Sequence, residues 1–133
     1  MAGFEFAYLA NGGTAPTIQT IVAADAEVFT AGEIVNLESG ELDAGASGDT
    51  AFVGAVVQDL NNAGDGLSCA VITDQDAVYS VVDDNLRLQG ATLDLAVGGL
   101  GVTTSSNADF IVVKTSSATE RTLVMFNNTH YLD

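Results

Sequence analysis

Few side chains in this sequence could carry covalent chemistry. There is one histidine, His130 in "NNTHYLD", and one cysteine, Cys69 in "LSCAVI". A Cys/His pair would supply a nucleophile and its base, but nothing in either neighbourhood supports such a pair. Cys69 alternates with Leu67 and Val71, the pattern of a buried structural thiol. His130, beside Tyr131 and Leu132, reads as a surface or packing histidine rather than a general base. No G-x-S-x-G elbow, G-x-x-x-x-G-K-[ST] loop or H-E-x-x-H pair occurs.

Carboxylates are the abundant reactive groups. The stretch "AGEIVNLESGELDAG" (31–45) contains Glu33, Glu38, Glu41 and Asp43 and no base, which poses a choice between an acidic site and a folding signal. In "DLNNAGD", Asp59, Asn61, Gly64 and Asp65 stand at the offsets of a calcium loop, but Ala63 takes a ligand position and Ala70 stands where the bidentate Glu belongs. Two carboxylates could still meet in space as in a glycosidase. The sequence lacks tryptophan, however, the usual platform for stacking sugars. The expectation is a protein that is not an enzyme, with no catalytic residues, no cofactor and no metal.

The 18 acidic residues face only Arg87, Lys114 and Arg121, for a formal net charge of −15. A partner bound by neutralising its phosphates is therefore disfavoured, which argues against nucleic acid and against an anionic membrane. With 47% apolar and 16% charged residues, the chain has the composition of a folded domain. The N-terminus lacks a positive n-region with a continuous apolar h-region, and no stretch approaches the length of a membrane span. A soluble protein without a secretory signal is expected.

These residues must be positioned by β structure. Gly, Asn and Asp punctuate the chain at short intervals, and Val, Thr and Ile alternate or run together between them. One core is expected for 133 residues. Residues 33–37 and 41–44 read as a hairpin across the three-residue connection Glu38-Ser39-Gly40, which answers the choice above in favour of folding. A strand starting at Ile34 reconciles Glu33 with the apolar parity of Val35 and Leu37.

"TAFVGAVVQ" (50–58) is apolar on both faces, so it reads as a strand covered on both sides, with Gly54 at a bend or close approach. Residues 59–66 read as a loop. "LSCAVIT" and "AVYSVV" read as strands paired around Asp74-Gln75-Asp76, completing a meander. "LRLQ", "TLDLAV", "DFIVVKT" and "TLVMFNN" supply further β segments, and no long amphipathic helix is visible.

Residues 1–20 differ in kind. Phe4, Phe6 and Tyr8 alternate with small or polar residues, and Leu9, Asn11-Gly12-Gly13 and Pro16 follow. This is the pattern of an arm that pairs with a neighbouring subunit or another protein, and equally of the first strand of the body's own sheet. The reading taken is an N-terminal arm (1–20) on a single β-rich body (21–133), all-β, a small barrel or sandwich-like module. Phe4, Phe6, Tyr8 and Leu9 are its contact residues.

Residues 29–82 resemble the decoration or cement proteins of tailed-bacteriophage capsids, including the group around the lambda head decoration protein. The shared order is a Gly-x-hydrophobic strand with an acidic hairpin, a Gly/Asp/Thr linker and "FVGAVV". A Gly-containing loop, an apolar strand, a turn and a Val-Tyr strand come after it. The resemblance implies a structural virion protein that binds the outside of an icosahedral capsid and stabilises it, as a homotrimer at three-fold or quasi-three-fold sites. Its implied partner is the major capsid protein, its site of synthesis the host cytoplasm. The rivals are a secreted or surface adhesive or carbohydrate-binding β-domain, and a head-fibre or tail component of a phage. The solitary cysteine and the incomplete ligand sets together predict a melting temperature nearly unchanged by chelator or reductant. A drop of about ten degrees on adding chelator, equivalent to roughly 1–2 kcal/mol, would reveal a metal site.

Overall fold

The computed structural model describes residues 3–61, 66–83, 85–104, 106–114 and 121–132. Among these, the first half of the chain forms β1 (Glu5–Leu9), β2 (Ile18–Val22), β3 (Val28–Phe29), β4 (Ile34–Glu38), β5 (Glu41–Ala44), β6 (Phe52–Ala55) and β7 (Leu60–Asn61). The second half adds β8 (Ser68–Ile72), β9 (Ala77–Val82), β10 (Thr92–Leu95), β11 (Val102–Thr104), β12 (Phe110–Lys114), β13 (Arg121–Phe126) and a 3₁₀ turn at Asn128–His130. The fold is all-β, and no helix among the described residues is long and apolar enough to cross a membrane.

The largest sheet has six antiparallel strands in the order β1-β9-β13-β12-β10-β11. A three-stranded sheet, β5-β4-β6, and the pairs β2-β8 and β3-β7 make up the rest. Among the described residues no closed barrel is formed. Isolated bridges, Ala23 to Leu42 and Val56 to Val71, link the smaller sheets, and the register shift between Val35 and Asn36 breaks the ladder of β4 with β6. The N-terminal segment is a strand of this body: β1 pairs with β9 from Glu5↔Ser80 to Leu9↔Ala77, the alternative reading of its alternation.

The acidic hairpin forms, starting at Ile34, with a tighter turn than the sequence suggested. Glu38 pairs directly with Glu41, so Ser39 and Gly40 alone make the connection, at φ 53° and 82°. Two central residues with positive φ are what a two-residue turn needs to match the right-handed twist of its strands, and glycine accepts that conformation without strain.

Three expected features are corrected. β8 and β9 are not a hairpin: β8 pairs with β2, and β9 lies between β1 and β13. Both strands carry buried residues on both faces, so each needs cover that a lone hairpin cannot provide. Residues 86–89 form no strand; Arg87 reaches back to Asp83 at 2.7 Å, and Leu86 and Leu88 stand 69% and 63% exposed. The expected single core is in fact two clusters. Ile34, Phe52 and Ala55 face the six-stranded sheet, while Val35, Val53 and Val56 face Ala23, Phe29, Leu42, Cys69 and Val71. The β4–β6 layer separates them.

The first cluster is built on aromatic rings. Phe4 stacks on Phe110, Phe110 on Phe126 and Phe126 on Phe52, with centroids 5.2, 5.2 and 5.4 Å apart, and Tyr79 meets Phe126 edge-on at 6.0 Å. Such offset and edge contacts stabilise by about 0.5–1.5 kcal/mol each beyond the area buried. The Tyr79 hydroxyl accepts from Ala55 N at 3.3 Å, joining the two layers through their middle. Beside it, a Cβ on Gly54 would lie 2.0 Å from the Ile72 carbonyl oxygen and 2.9 Å from the Tyr79 hydroxyl. Gly54→Ala is therefore expected to lower stability by about 1–3 kcal/mol or more, as overpacking does. Urea denaturation is the measurement, and an unchanged midpoint would show that β6 and β8 can separate freely.

Candidate functional site

The four residues expected to contact a neighbour divide between core and surface. Phe4 and Leu9 are buried in the first cluster, and Phe4 N donates to Gly32 O at 2.9 Å, which fixes the entry to β1. Phe6 is half-buried against the same cluster, whereas Tyr8 is 37% exposed. The register shift between Phe6 and Tyr8 explains part of the split: strict alternation would put both on one face, but Phe6 pairs with the inward-facing Tyr79 and Tyr8 with its neighbour Val78.

Beside β1 lies an apolar groove of about 380 Å³. Phe4, Phe6, Val56, Val57 and Ile72 line it together with Ala31 and Gly32, and among the described residues Glu5 is its one charged lining residue. The strand read over 50–58 as covered on both sides ends at Ala55, and Val57 is 42% exposed at this groove. No local sequence signal marks the groove, because its walls come from segments roughly fifty residues apart that only the sheet packing brings together.

The carboxylates of the opening stretch do not converge on a site. Glu38 lies at the exposed hairpin turn. Glu33 is buried at 7% exposure and accepts from Thr30 N at 3.2 Å; burial raises its pKa, and that hydrogen bond opposes the rise. Glu27, on the strand-leading turn before β3, meets Asp43 of β5. Burial first, then the hydrogen bond and charge of Asp43, push Glu27 up to about 7. Asp59 Oδ1 accepts from Ala31 N at 2.8 Å, so it ties a loop. The rest of the calcium-like run, residues 62–65, lies outside the described residues. No group of three or more His, Cys, Asp or Glu placed to hold a metal occurs among the described residues. Cys69 is fully buried, and burial raises its pKa.

Three other aspartates are buried and bonded. Asp94 accepts from Ser106 N and Oγ, Asn107 N and Ala108 N, all at 2.9–3.0 Å. Its burial opposes ionisation, yet these donors outweigh it and hold the carboxyl at about 2. Asp109, with no exposed surface, accepts from Gly48 N at 2.9 Å and Leu95 N at 2.8 Å. Asp83 takes Arg87 and Thr122; burial works against its charge, but these partners leave its pKa lowered. Carboxylates saturated by N–H donors order loops and have little capacity left to move a proton.

His130 Nδ1 lies 3.1 Å from Asp109 Oδ1 without hydrogen-bond alignment and has no other partner. Its ring stacks parallel to Phe52 at 6.4 Å, so it packs. Asp94 and Asp109 were not singled out from sequence, although an acid enclosed by Leu93 and Leu95, or set directly before Phe110, was a usable signal for a buried loop clamp.

The elevated Glu27 carries a sign. Its folded pKa of about 7 exceeds the ordinary 4.5, so its favourable contribution is complete at low pH and is lost as pH rises toward 7. Glu27→Gln, which mimics the protonated acid, is expected to raise the melting temperature at pH 8 and leave it nearly unchanged at pH 4. Equal melting of the two proteins at pH 8 would show that Glu27 and Asp43 do not repel.

No protein-family profile matches the chain, and no curated protein matches it in sequence. A solved structure is similar in fold: the head fiber gp8.5 N base of bacteriophage phi29, at a TM-score of 0.56 and 15% identity. The likeness covers 86% of this chain and 98% of that one. At that identity the shared property is the fold, an all-β arrangement found in a phage head-associated protein.

Proposed function

We propose that this chain is a non-enzymatic structural protein of a phage virion, attached to the outside of the head as a head-fibre base, and that it assembles there as a homotrimer on the major capsid protein. The observation that carries this reading is the extent of the fold likeness, which takes in nearly all of the phi29 head fiber base and leaves little of either chain unmatched. The side-chain chemistry supports it. The buried carboxylates order loops, the thiol is enclosed, and what the surface offers a partner is an apolar groove and exposed aliphatic residues. A head-attached protein needs only such surfaces, because symmetry multiplies modest contacts.

In this reading the part of the N-terminal segment left to meet a capsid or a neighbouring subunit is Phe6 and Tyr8, with Phe4 and Leu9 holding β1 in place. The cement role at three-fold sites is the second reading, favoured by the order of features across residues 29–82. The two differ in consequence: a cement protein strengthens the shell, and a fibre base only stands on it.

Co-sedimentation with heads of the encoding phage that lack this chain, and separately with unassembled capsid subunits, tests the proposal. Binding to assembled heads alone is expected. Failure to bind heads overturns the virion role, and a large gain in the heads' thermal resistance on binding selects cement over fibre base.

A further inference from the structure

The fold brings the chain's three bases, Arg87, Lys114 and Arg121, to one end of the six-stranded sheet. Arg121 pairs across the ladder with Val82 at the end of β9, and Lys114 pairs with Leu123. Arg87 returns to Asp83, the residue that follows β9. The inward positions of these strands are Tyr79, Val81, Val124 and Phe126. By alternation Val82 and Leu123 therefore face away from the core. Val82, Leu86 and Leu88 are 43%, 69% and 63% exposed, so apolar surface and bases share one end of the molecule.

Among the described residues the charges there are matched; Asp84 and Glu120 lie outside them. Arg87 lies 2.7 Å from Asp83 and Arg121 lies 3.5 Å from Glu5, and Lys114 is an exposed further cation. Across the whole chain 18 acids stand against three bases, so two copies repel each other over most of their surfaces. At this end the described carboxylates are neutralised and large aliphatic side chains face solvent.

We propose that this end of the sheet, centred on Val82, Leu86, Leu88 and Leu123, is where a second copy of the chain docks. Association is driven by apolar burial and opposed by the remaining charge of each copy. An acidic partner held by Lys114 would bind more weakly as salt rises, whereas like-charged copies joined through apolar contact bind more tightly as their repulsion is screened. This deepens the homotrimer part of the function proposed above and rests on it for stoichiometry alone.

The test is sedimentation equilibrium of the full chain at about 20 mM and about 500 mM salt, with the paired substitution Leu86→Asp/Leu88→Asp and the control Ile18→Asp. Leu86 and Leu88 lie outside the strands and Ile18 is 51% exposed on β2, so all three proteins should melt alike. The expected result is self-association of the native chain that strengthens with salt, is retained by the control, and weakens about tenfold or more, roughly 1.4 kcal/mol, in the paired variant. A native chain that stays monomeric to about 100 µM in high salt, association that weakens with salt, or a paired variant that associates like the native chain overturns the proposal. If the paired variant melts early, Lys114→Glu replaces it, and its failure to weaken association is equally decisive. Binding of the same proteins to heads is measured in parallel: a monomer that binds heads sinks this interface and leaves the virion role standing.

Discussion

The structure depends on one constraint: β4 and β6 form a layer with an apolar cluster on each side. Every residue of β6 is buried, so neither face can be turned to water and both must find cover from distant parts of the chain. The register shift between Val35 and Asn36 lets β6 present Phe52 and Ala55 to the aromatic cluster and Val53, with Val56 just beyond the strand, to the other. A strand in strict alternation would place Val53 and Ala55 on the same side. Gly54 lets this layer approach the Ile72 carbonyl of β8 closely, and the Tyr79 hydroxyl satisfies the Ala55 amide there. An unbonded amide at that depth would cost about 1–3 kcal/mol.

The same constraint accounts for the placement of the carboxylates. A chain of many short strands has many connections, and each connection leaves backbone N–H groups that no ladder satisfies. Asp94 and Asp109 take up several of these at the loops beside β10 and β12, while Asp83 closes the end of β9 with Arg87. Much of the acidity that looked like chemistry is the scaffold's own hydrogen bonding. Glu33 and Asp59 also accept backbone N–H bonds, whereas Glu27 and Asp43 are crowded together.

Local features were legible where their cause was local. The hairpin could be read from Ser39-Gly40 between apolar alternations, and the two-sided cover of β6 from "FVGAV", because turn chemistry and burial pattern are written in adjacent residues. Strand pairing was not legible. "LSCAVIT" and "AVYSVV" carry a turn between them and still belong to different sheets, since partners for β8 and β9 come from β2, β1 and β13. The edge pairs of β2 and of β3 with β7 went unseen for the same reason: segments of two to five residues have no pattern strong enough to stand out before their partners are known. The groove beside β1 and the gathering of the bases likewise follow from pairing alone.

By itself the sequence determined an all-β chain, its acidic character, the hairpin at 34–44 and the enclosure of Cys69, because composition, period and turn residues act within a few positions. Tertiary structure alone decided that the N-terminal strand belongs to the body's own sheet, that the core is divided in two, and that the sheets stay open. It also decided which aspartates are buried. Each of these turns on which segments meet across long stretches of chain, where burial on both faces of a strand outweighs the preference of neighbouring strands to pair.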